Sequence, residues 1–211
     1  CTACPCGGVH EAGACIATDG PLRRAVSFCA GCAAANRRYD GRMNASDPIP
    51  DDTAIRRLSE DLGTRLRAAH ERLVTAESCT GGWIAKAVTD IAGSSDWFDC
   101  GMAAYSYEAK QALLGVRPQT LEEHGAVSRE TVVEMVSGAL VNSGASVAVA
   151  VTGIAGPGGG SADKPVGTVW IGWKRRGGYA RAEVFHFGGD RDAVRRQTVA
   201  TALRGLDGLL A

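Results

Sequence analysis

The chain has 211 residues, 45% of them hydrophobic, which is enough for one domain of about 150 to 170 residues and an appendage. Lysine and arginine together number 23, as do aspartate and glutamate, so no large electrostatic field would attract nucleic acid or an acidic membrane surface. The sequence contains no apolar run of membrane-spanning length and no secretory signal pattern, and we expect a cytoplasmic protein with neither nucleic-acid nor membrane partners.

The first 32 residues are rich in cysteine and poor in periodic pattern. Six of the eight cysteines lie there, at positions 1, 4, 6, 15, 29 and 32. The two C-x-x-C pairs have the spacing of a zinc knuckle, with His10 nearby as a further candidate ligand. Met43, however, opens a stretch that resembles an ordinary bacterial start. We therefore favour an irregular Cys-rich extension at residues 1–50, ahead of a zinc module, and place the domain itself at residues 51–211.

Hydrophobic spacing predicts the first elements of the domain. Residues 51–70 form an amphipathic helix, because apolar side chains recur there every three or four positions. These side chains are Ile55, Leu58, Leu62, Leu66 and Ala69. Residues 73–76 follow as a short strand, and residues 83–91 as a second helix.

The segment TAESCTGG at residues 75–82 joins that strand to that helix. Its two glycines would let the backbone approach a ligand, and the first N–H groups of the following helix would point at it. Such a turn suits an anion or a developing oxyanion. Ser78 lies where a nucleophile would be presented, although the motif is not G-x-S-x-G. From the local sequence alone, Ser78 or Thr80 is better interpreted as a helix cap.

Three more candidate residues lie at or beyond the end of the next predicted element. Residues 100–106 are predicted to form a buried strand, and Tyr105, Ser106 and Lys110 lie at or after its carboxyl end, where open α/β sheets bind ligands. Taken by itself, Lys110 fits a solvated lysine in the first turn of a helix at residues 108–114.

A second glycine-rich loop follows a second strand. Ser128 is predicted to cap a helix that begins at Arg129, and residues 146–151 form a β-branched strand covered on both sides. That strand leads into residues 152–160, TGIAGPGGG. One loop of this kind is weak support for a binding site. Two such loops, each with a hydroxyl residue at the strand exit, favour a shared polar pocket.

The C-terminal part is predicted to contain a hairpin and a helix. Residues 164–173 and 179–187 alternate as antiparallel strands around a glycine turn, and His186 is expected to be packed. The final helix covers residues 193–210, and Arg191 and Arg195 would share one of its faces. Together these elements predict an α/β fold, a three-layer α/β/α sandwich with a mixed central sheet.

Six motifs in this order resemble the nicotinamide-nucleotide amidase family, also called the CinA C-terminal domain. They are TAESCTGG at 75–82, YS at 105–106 followed by Glu108-Ala-Lys110, HGAVS at 124–128, TGIAGP at 152–157, KPVGTV at 164–169 and GDR at 189–191. The resemblance runs from about residue 53 to the end of the chain, and nothing in residues 1–42 belongs to it.

The resemblance implies a deamidase that converts nicotinamide mononucleotide to nicotinic acid mononucleotide and ammonia, with no cofactor or metal and in a homo-oligomer. The family uses a serine and a lysine at the places of Ser78 and Lys110, and a hydroxyl residue at that of Thr152. Where the family commonly carries Asn, this chain has Tyr107, a departure that bears on the edge of the pocket and not on the chemistry.

Amide hydrolysis needs a nucleophile, a base and donors for an oxyanion. The hypothesis is that Ser78 attacks and that Lys110 takes its proton, with a pKa lowered by burial. Tyr105 and Thr152 would orient the lysine or relay protons. Backbone N–H groups would bind the oxyanion, and a glycine loop with an arginine would bind the phosphate. The residues assigned to the substrate are Thr80, Gly81, Gly82, Ser106, Gly153, Gly156 and Arg191. The alternative function is a non-catalytic nucleotide-binding or regulatory module.

Overall fold

The computed structural model describes residues 48–210. The predictions about the cysteine-rich extension, the zinc ligands and the start at Met43 lie outside the described residues. The helices are α1 Asp52–Ala68, α2 Trp83–Thr89, α3 Tyr107–Leu114, α4 Pro118–His124, α5 Arg129–Val141 and α6 Arg191–Leu206. The strands are β1 Leu73–Glu77, β2 Phe98–Ala103, β3 Val147–Gly153, β4 Thr168–Arg175 and β5 Arg181–His186. None of the helices within residues 48–210 is long and apolar enough to cross a membrane.

The five strands form one mixed sheet in the order β2-β1-β3-β4-β5. β1 runs parallel to both of its neighbours, with Glu77 opposite Ala103 on one side and Val151 on the other. β4 and β5 are antiparallel additions beyond β3. The carboxyl ends of β1, β2 and β3 therefore meet at one edge of the sheet, which is where the sequence places its candidate residues.

Alternation along the two central strands divides the core into two layers. In β3, the side chains of Val147, Val149 and Val151 belong to one buried cluster, which also contains residues of α1, α2 and α6. Ala148 and Ala150 belong to the other, with residues of α3, α4 and α5. Alternating side chains point to opposite faces of a strand, so the sheet is covered on both sides. The predicted three-layer α/β/α sandwich with a mixed central sheet is confirmed.

The predicted buried strand at residues 100–106 is wrong in its place and its burial. β2 ends at Ala103 and forms an edge of the sheet, where its side chains are half-buried or exposed. The small residues of β2 are explained by a close helix contact and not by deep burial. A Cβ added at Gly101 would lie 2.5 Å from the Cβ of Ala85, so the glycine lets α2 pack close to the sheet edge.

Other differences concern short or terminal elements. The helix α4 was missed, because it has only seven residues, begins at Pro118 and buries only Thr120 and Leu121. The last helix begins at Arg191, two residues earlier than predicted, because the Asp190 side chain caps it. The prediction that His186 is packed is wrong: its side chain is exposed on β5, with Nδ1 3.3 Å from the Thr168 hydroxyl.

Candidate active site

Ser78 and Lys110 meet at the carboxyl edge of the parallel strands. Ser78 follows β1 directly, and its N–H donates to the Val151 carbonyl at 3.0 Å, which fixes the start of the turn to β3. Lys110 lies in the first turns of α3, and its Nζ is 3.0 Å from Ser78 Oγ. Both side chains are buried, with exposed fractions of 8% for Ser78 and 1% for Lys110. The structure thus brings together two residues that are 32 positions apart in the chain.

The interpretation of Lys110 as a solvated lysine is wrong, because its stem and amine are enclosed. Burial lowers the pKa of Lys110 from its ordinary value, since the charged form loses hydration there. Besides Ser78, the amine contacts the carbonyl oxygens of Ala104 at 2.9 Å and Tyr105 at 3.1 Å. Carbonyls only accept hydrogen bonds, whereas a hydroxyl also donates. The amine thus has three acceptors around it, and when it is neutral its two N–H groups can stay on the carbonyls while its lone pair accepts from the serine O–H.

The neighbouring thiol does not compete for the role of nucleophile. Burial raises the pKa of Cys79 to about 12, so this thiol stays protonated at neutral pH. A protonated thiol is a poor nucleophile. The adjacent Ser78 has the Lys110 amine within hydrogen-bonding distance.

Glu77 is the residue that sequence reasoning missed. It is 1% exposed, and its Oε2 accepts hydrogen bonds from Thr80 Oγ1 at 2.6 Å and from the Ile84 N–H at 2.9 Å. Its Oε1 accepts from Thr75 Oγ1 at 3.1 Å and from the Ala85 N–H at 2.8 Å. The prediction that Ser78 or Thr80 caps α2 is therefore wrong, since Glu77 binds the first free amides of that helix. An acid at the end of an otherwise uncharged strand was the available signal.

Three amides of the turn, those of Cys79, Thr80 and Gly82, make no hydrogen bond within residues 48–210 and remain open to a ligand. Gly81, by contrast, donates its N–H to the Ser78 carbonyl at 3.1 Å. Gly81 and Gly82 have φ values of 63° and 93°. Only glycine adopts this left-handed backbone without strain, which explains the pair of glycines in the motif. Thr80 and Gly82 are the candidate oxyanion donors.

The other hydroxyl residues predicted for the site lie near Ser78 and Lys110, but their hydroxyl groups do not contact the Lys110 amine. Tyr105 contacts Lys110 through its carbonyl, while its phenol is 65% exposed and lies 3.2 Å from Arg191 Nη2. Thr152 is buried and donates to the Ala126 carbonyl at 2.7 Å. Ser106 caps α3 by accepting from the Ala109 N–H. Orientation of the amine therefore comes from backbone carbonyls and from the cap of its helix.

Arg191 connects the second glycine loop to the first site. Its Nη1 donates to the Gly156 carbonyl at 2.7 Å, so the loop and Tyr105 are held by one guanidinium. Gly156 has a φ of 83°, again a glycine conformation. A Cβ at Gly153 would lie 2.8 Å from the Thr168 carbonyl, so this glycine serves close strand packing. Arg191 thus links the second glycine loop to Tyr105, whose carbonyl contacts the Lys110 amine, while the shared pocket between the two loops stays a prediction.

A groove of about 370 Å³ lies beyond the turn, and its charged residues are already engaged. Arg195 donates to the Thr80 carbonyl at 2.7 Å and lies 4.9 Å from the Trp83 ring centre. Lys86 pairs with Asp90, and Arg196 pairs with Asp52 and Asp192. Arg195 thus supports the turn through the Thr80 carbonyl, while Arg191 on the same helix supports the second loop.

The fold and the site define an α/β protein with a buried serine–lysine pair at the carboxyl edge of its parallel strands. The family model of the CinA C-terminal domain matches residues 55–210, and the chain belongs to that family. The resemblance drawn from the six motifs is confirmed.

Two sequence relatives and one solved structure show which known proteins this chain is similar to. The nicotinamide-nucleotide amidohydrolase PncC of Escherichia coli K12 is 55% identical over 157 residues, which cover 74% of this chain and 94% of that protein. A CinA-like protein of Akkermansia muciniphila is 51% identical over 135 residues, 64% of this chain but 33% of that protein. The crystal structure of the competence/damage inducible protein CihA from Agrobacterium tumefaciens matches with a TM-score of 0.73 and 47% identity, covering 77% of this chain and 98% of that one.

Proposed function

We propose that this protein hydrolyses the carboxamide of nicotinamide mononucleotide to nicotinic acid mononucleotide and ammonia. Relatives of 52% to 55% identity are named nicotinamide-nucleotide amidohydrolase, in agreement with the prediction that the chain is an amidase of this kind. The observation that carries the proposed mechanism is the 3.0 Å distance between Lys110 Nζ and Ser78 Oγ inside a buried site. A buried amine beside a serine hydroxyl is an arrangement that activates a nucleophile.

In the first step, Ser78 Oγ attacks the carboxamide carbon and Lys110 takes the serine proton. The carbonyl oxygen becomes an oxyanion, which the N–H groups of Thr80 and Gly82 stabilise. The tetrahedral intermediate collapses when the C–N bond breaks, and the departing nitrogen takes the proton from Lys110 and leaves as ammonia. This step leaves an acyl ester on Ser78.

In the second step, water attacks the ester and Lys110 takes a proton from it. The second oxyanion uses the same donors, and its collapse releases the nicotinic acid product while Ser78 Oγ regains the proton. No further residue has to carry a proton in this scheme. Tyr105 and Thr152 act in it as supports, through the Tyr105 carbonyl on the amine and the Thr152 contact with Ala126.

The nucleotide phosphate is assigned to the second glycine loop and Arg191. The guanidinium has five N–H donors, and its contacts with Gly156 and Tyr105 use two of its nitrogens. The side chain is exposed beside the second glycine loop, so further N–H groups can face an anion. Gly153 and Gly156 belong to this loop, while Ser106 contributes indirectly by capping the helix that carries Lys110.

The test is ammonia release from the mononucleotide, free nicotinamide and NAD, measured side by side. We expect turnover of the mononucleotide and at least a 10³-fold loss in Ser78→Ala, with unchanged circular dichroism. Near-normal ammonia release by Ser78→Ala would show that another group is the nucleophile.

The second candidate function is a non-catalytic nucleotide-binding module. This function is favoured by the match to the CinA-like relative. The match covers only 33% of that protein, so the domain also occurs within longer proteins. Saturable binding of the mononucleotide by the wild-type protein without any ammonia release would support this function over hydrolysis.

A further inference from the structure

The carboxylate of Glu77 is enclosed at the end of a central strand and forms no salt bridge with any cation within residues 48–210. β1 has a neighbour on each side, and the other residues of the strand, LVTA at 73–76, are buried and uncharged. A buried carboxylate is costly unless its lone pairs are occupied by donors. Within residues 48–210, Glu77 meets this requirement through hydrogen bonds from two hydroxyls and two backbone amides.

The four donors come from both sides of the nucleophile's turn. Thr75 lies on β1 before Ser78, Thr80 lies after it, and Ile84 and Ala85 form the first turn of α2. One carboxylate therefore joins the strand, the turn and the helix. The turn between Glu77 and Thr80 contains only Ser78 and one further residue, so its shape depends on where the Glu77 oxygens are.

The same contacts decide which amides are left for a ligand. Glu77 uses the N–H groups of Ile84 and Ala85, so the start of α2 is already occupied by an anion of the protein itself. The open donors within residues 48–210 are instead those of Cys79, Thr80 and Gly82, in the segment that the carboxylate holds through the Thr80 hydroxyl.

We propose that Glu77 is a positioning residue for hydrolysis: its carboxylate holds the turn in the shape that points Ser78 at Lys110 and keeps the Thr80 and Gly82 amides free for the oxyanion. The inference rests on the proposed function for the identity of the substrate. It rests on the observed contacts for the part that Glu77 plays in presenting the serine.

The role requires a carboxylate, because each of its oxygens accepts one backbone N–H and one hydroxyl. A glutamine in the same place would turn its NH₂ group toward the N–H of either Ile84 or Ala85, and two donors would then meet. An aspartate is one methylene shorter and could not keep all four contacts. Glu77→Gln is therefore the sharpest single change.

The matched control is Glu134→Gln. The Glu134 carboxylate also accepts from a backbone N–H and a threonine hydroxyl near a helix start, those of Arg117 and Thr120. None of its contacts within residues 48–210 is to Ser78 or Lys110. A loss of folding stability is thus expected in both variants, whereas a loss of catalysis is expected only in Glu77→Gln.

The expected result for Glu77→Gln is a fall in kcat of about 10²-fold with KM within about twofold of the wild-type value, since a small misplacement of reacting groups costs about that much. Glu134→Gln should keep kcat within about twofold. A second pair guards against misfolding: Thr80→Val removes the hydroxyl that Glu77 binds, and Thr80→Ser restores it. We expect kcat to fall about tenfold in Thr80→Val and by a smaller factor in Thr80→Ser, which keeps a hydroxyl for Glu77.

Labelling with a fluorophosphonate separates this inference from the identity of the substrate. Ser78 Oγ attacks phosphorus, fluoride leaves, and Lys110 takes the serine proton, so the rate reports the serine without any nucleotide. The labelling rate should fall in Glu77→Gln and Thr80→Val, fall less in Thr80→Ser, and stay normal in Glu134→Gln. Equal kcat values and equal labelling rates across all four variants would overturn the inference. If the wild type is labelled at Ser78 but releases no ammonia, the proposed function fails, and the labelling rates still decide the role of Glu77.

Discussion

At the scale of single residues, the pKa of Lys110 decides when the proposed base is neutral. Burial lowers this pKa below the ordinary 10.5, so the neutral amine becomes available at a lower pH than for a solvated lysine. The value of kcat/KM should therefore rise with pH through the lowered pKa and fall as the amine is protonated below it. Lys110→Met should lose this ascending limb together with about 10² to 10⁴-fold of the rate.

Lys110→Arg is the control for charge and bulk, because a guanidinium stays protonated and cannot act as a base. We expect it to be as inactive as Lys110→Met. Steady-state rates between pH 6 and pH 10 measure both effects. An unchanged pH profile in Lys110→Met would contradict the role of this lysine as the base.

The same pKa shift predicts how stability depends on pH. Between the lowered pKa of the folded protein and the ordinary 10.5, the unfolded chain binds more protons at Lys110 than the folded one. The free energy of unfolding therefore rises with pH in this window, and below it the slope from this group vanishes. The wild-type protein should gain stability relative to Lys110→Met as the pH rises toward 10.5. Urea unfolding at a series of pH values checks this, and an opposite trend would contradict burial of the amine.

Local sequence could not reveal these residue-level properties. Ser78 was found because it lies beside glycines at a strand exit, and Lys110 was noted only as lying after a strand. Burial of Lys110 and the four donors on Glu77 arise from contacts across separate elements. Window-based reasoning assigns a lysine in a first helical turn to solvent, and a threonine or serine near a helix start to a cap. Tertiary contacts reversed both assignments here.

At the scale of elements, the position of α3 against α5 determines where Lys110 lies. Gly138 on α5 contacts the last turn of α3 so closely that an added Cβ would lie 1.7 Å from the Leu114 carbonyl oxygen. Alanine would gain about 1 kcal/mol of helix propensity at Gly138, but the overlap forces the helices apart at a cost of about 1–3 kcal/mol or more. The overlap should dominate.

Gly138→Ala is therefore expected to lower the Tm and also to lower kcat, because α3 moves together with its lysine. Gly188→Ala is the control, since a Cβ there meets nothing within 4 Å. Thermal unfolding and steady-state rates measure the two effects. A Gly138→Ala variant with unchanged Tm and unchanged kcat would contradict the account of this helix contact.

Elements with a clear hydrophobic pattern were predicted well, and those without one were not. The helix α1 and the strand β3 follow from their spacing, and Ser128 caps α5 as expected. The edge strand β2 was predicted to be buried because small apolar residues are typical both of a protein interior and of a close contact with a helix. The short helix α4 has no apolar face long enough to produce a periodic signal.

At the scale of the whole molecule, the two buried clusters on either side of the sheet are what keep the site rigid. Each of the three parallel strands is followed by a segment of the site. Helices of both layers hold these segments in place, because α2 binds Glu77, α3 carries Lys110 and α6 supplies Arg191. The expected homo-oligomer stays a prediction. Among the described residues, the members of both clusters lie between Ile55 and Leu210.

This composition of the core leads to a prediction about the cysteine-rich segment. A chain that begins at Met43 retains every residue of both clusters and of the candidate site, so it should match the full chain in kcat, KM and Tm. Metal analysis of the full chain should find no stoichiometric zinc, because the segment is interpreted as an extension without a role of its own. One zinc per full-length chain, together with a lower Tm after chelation or truncation, would instead establish a zinc module that stabilises the domain.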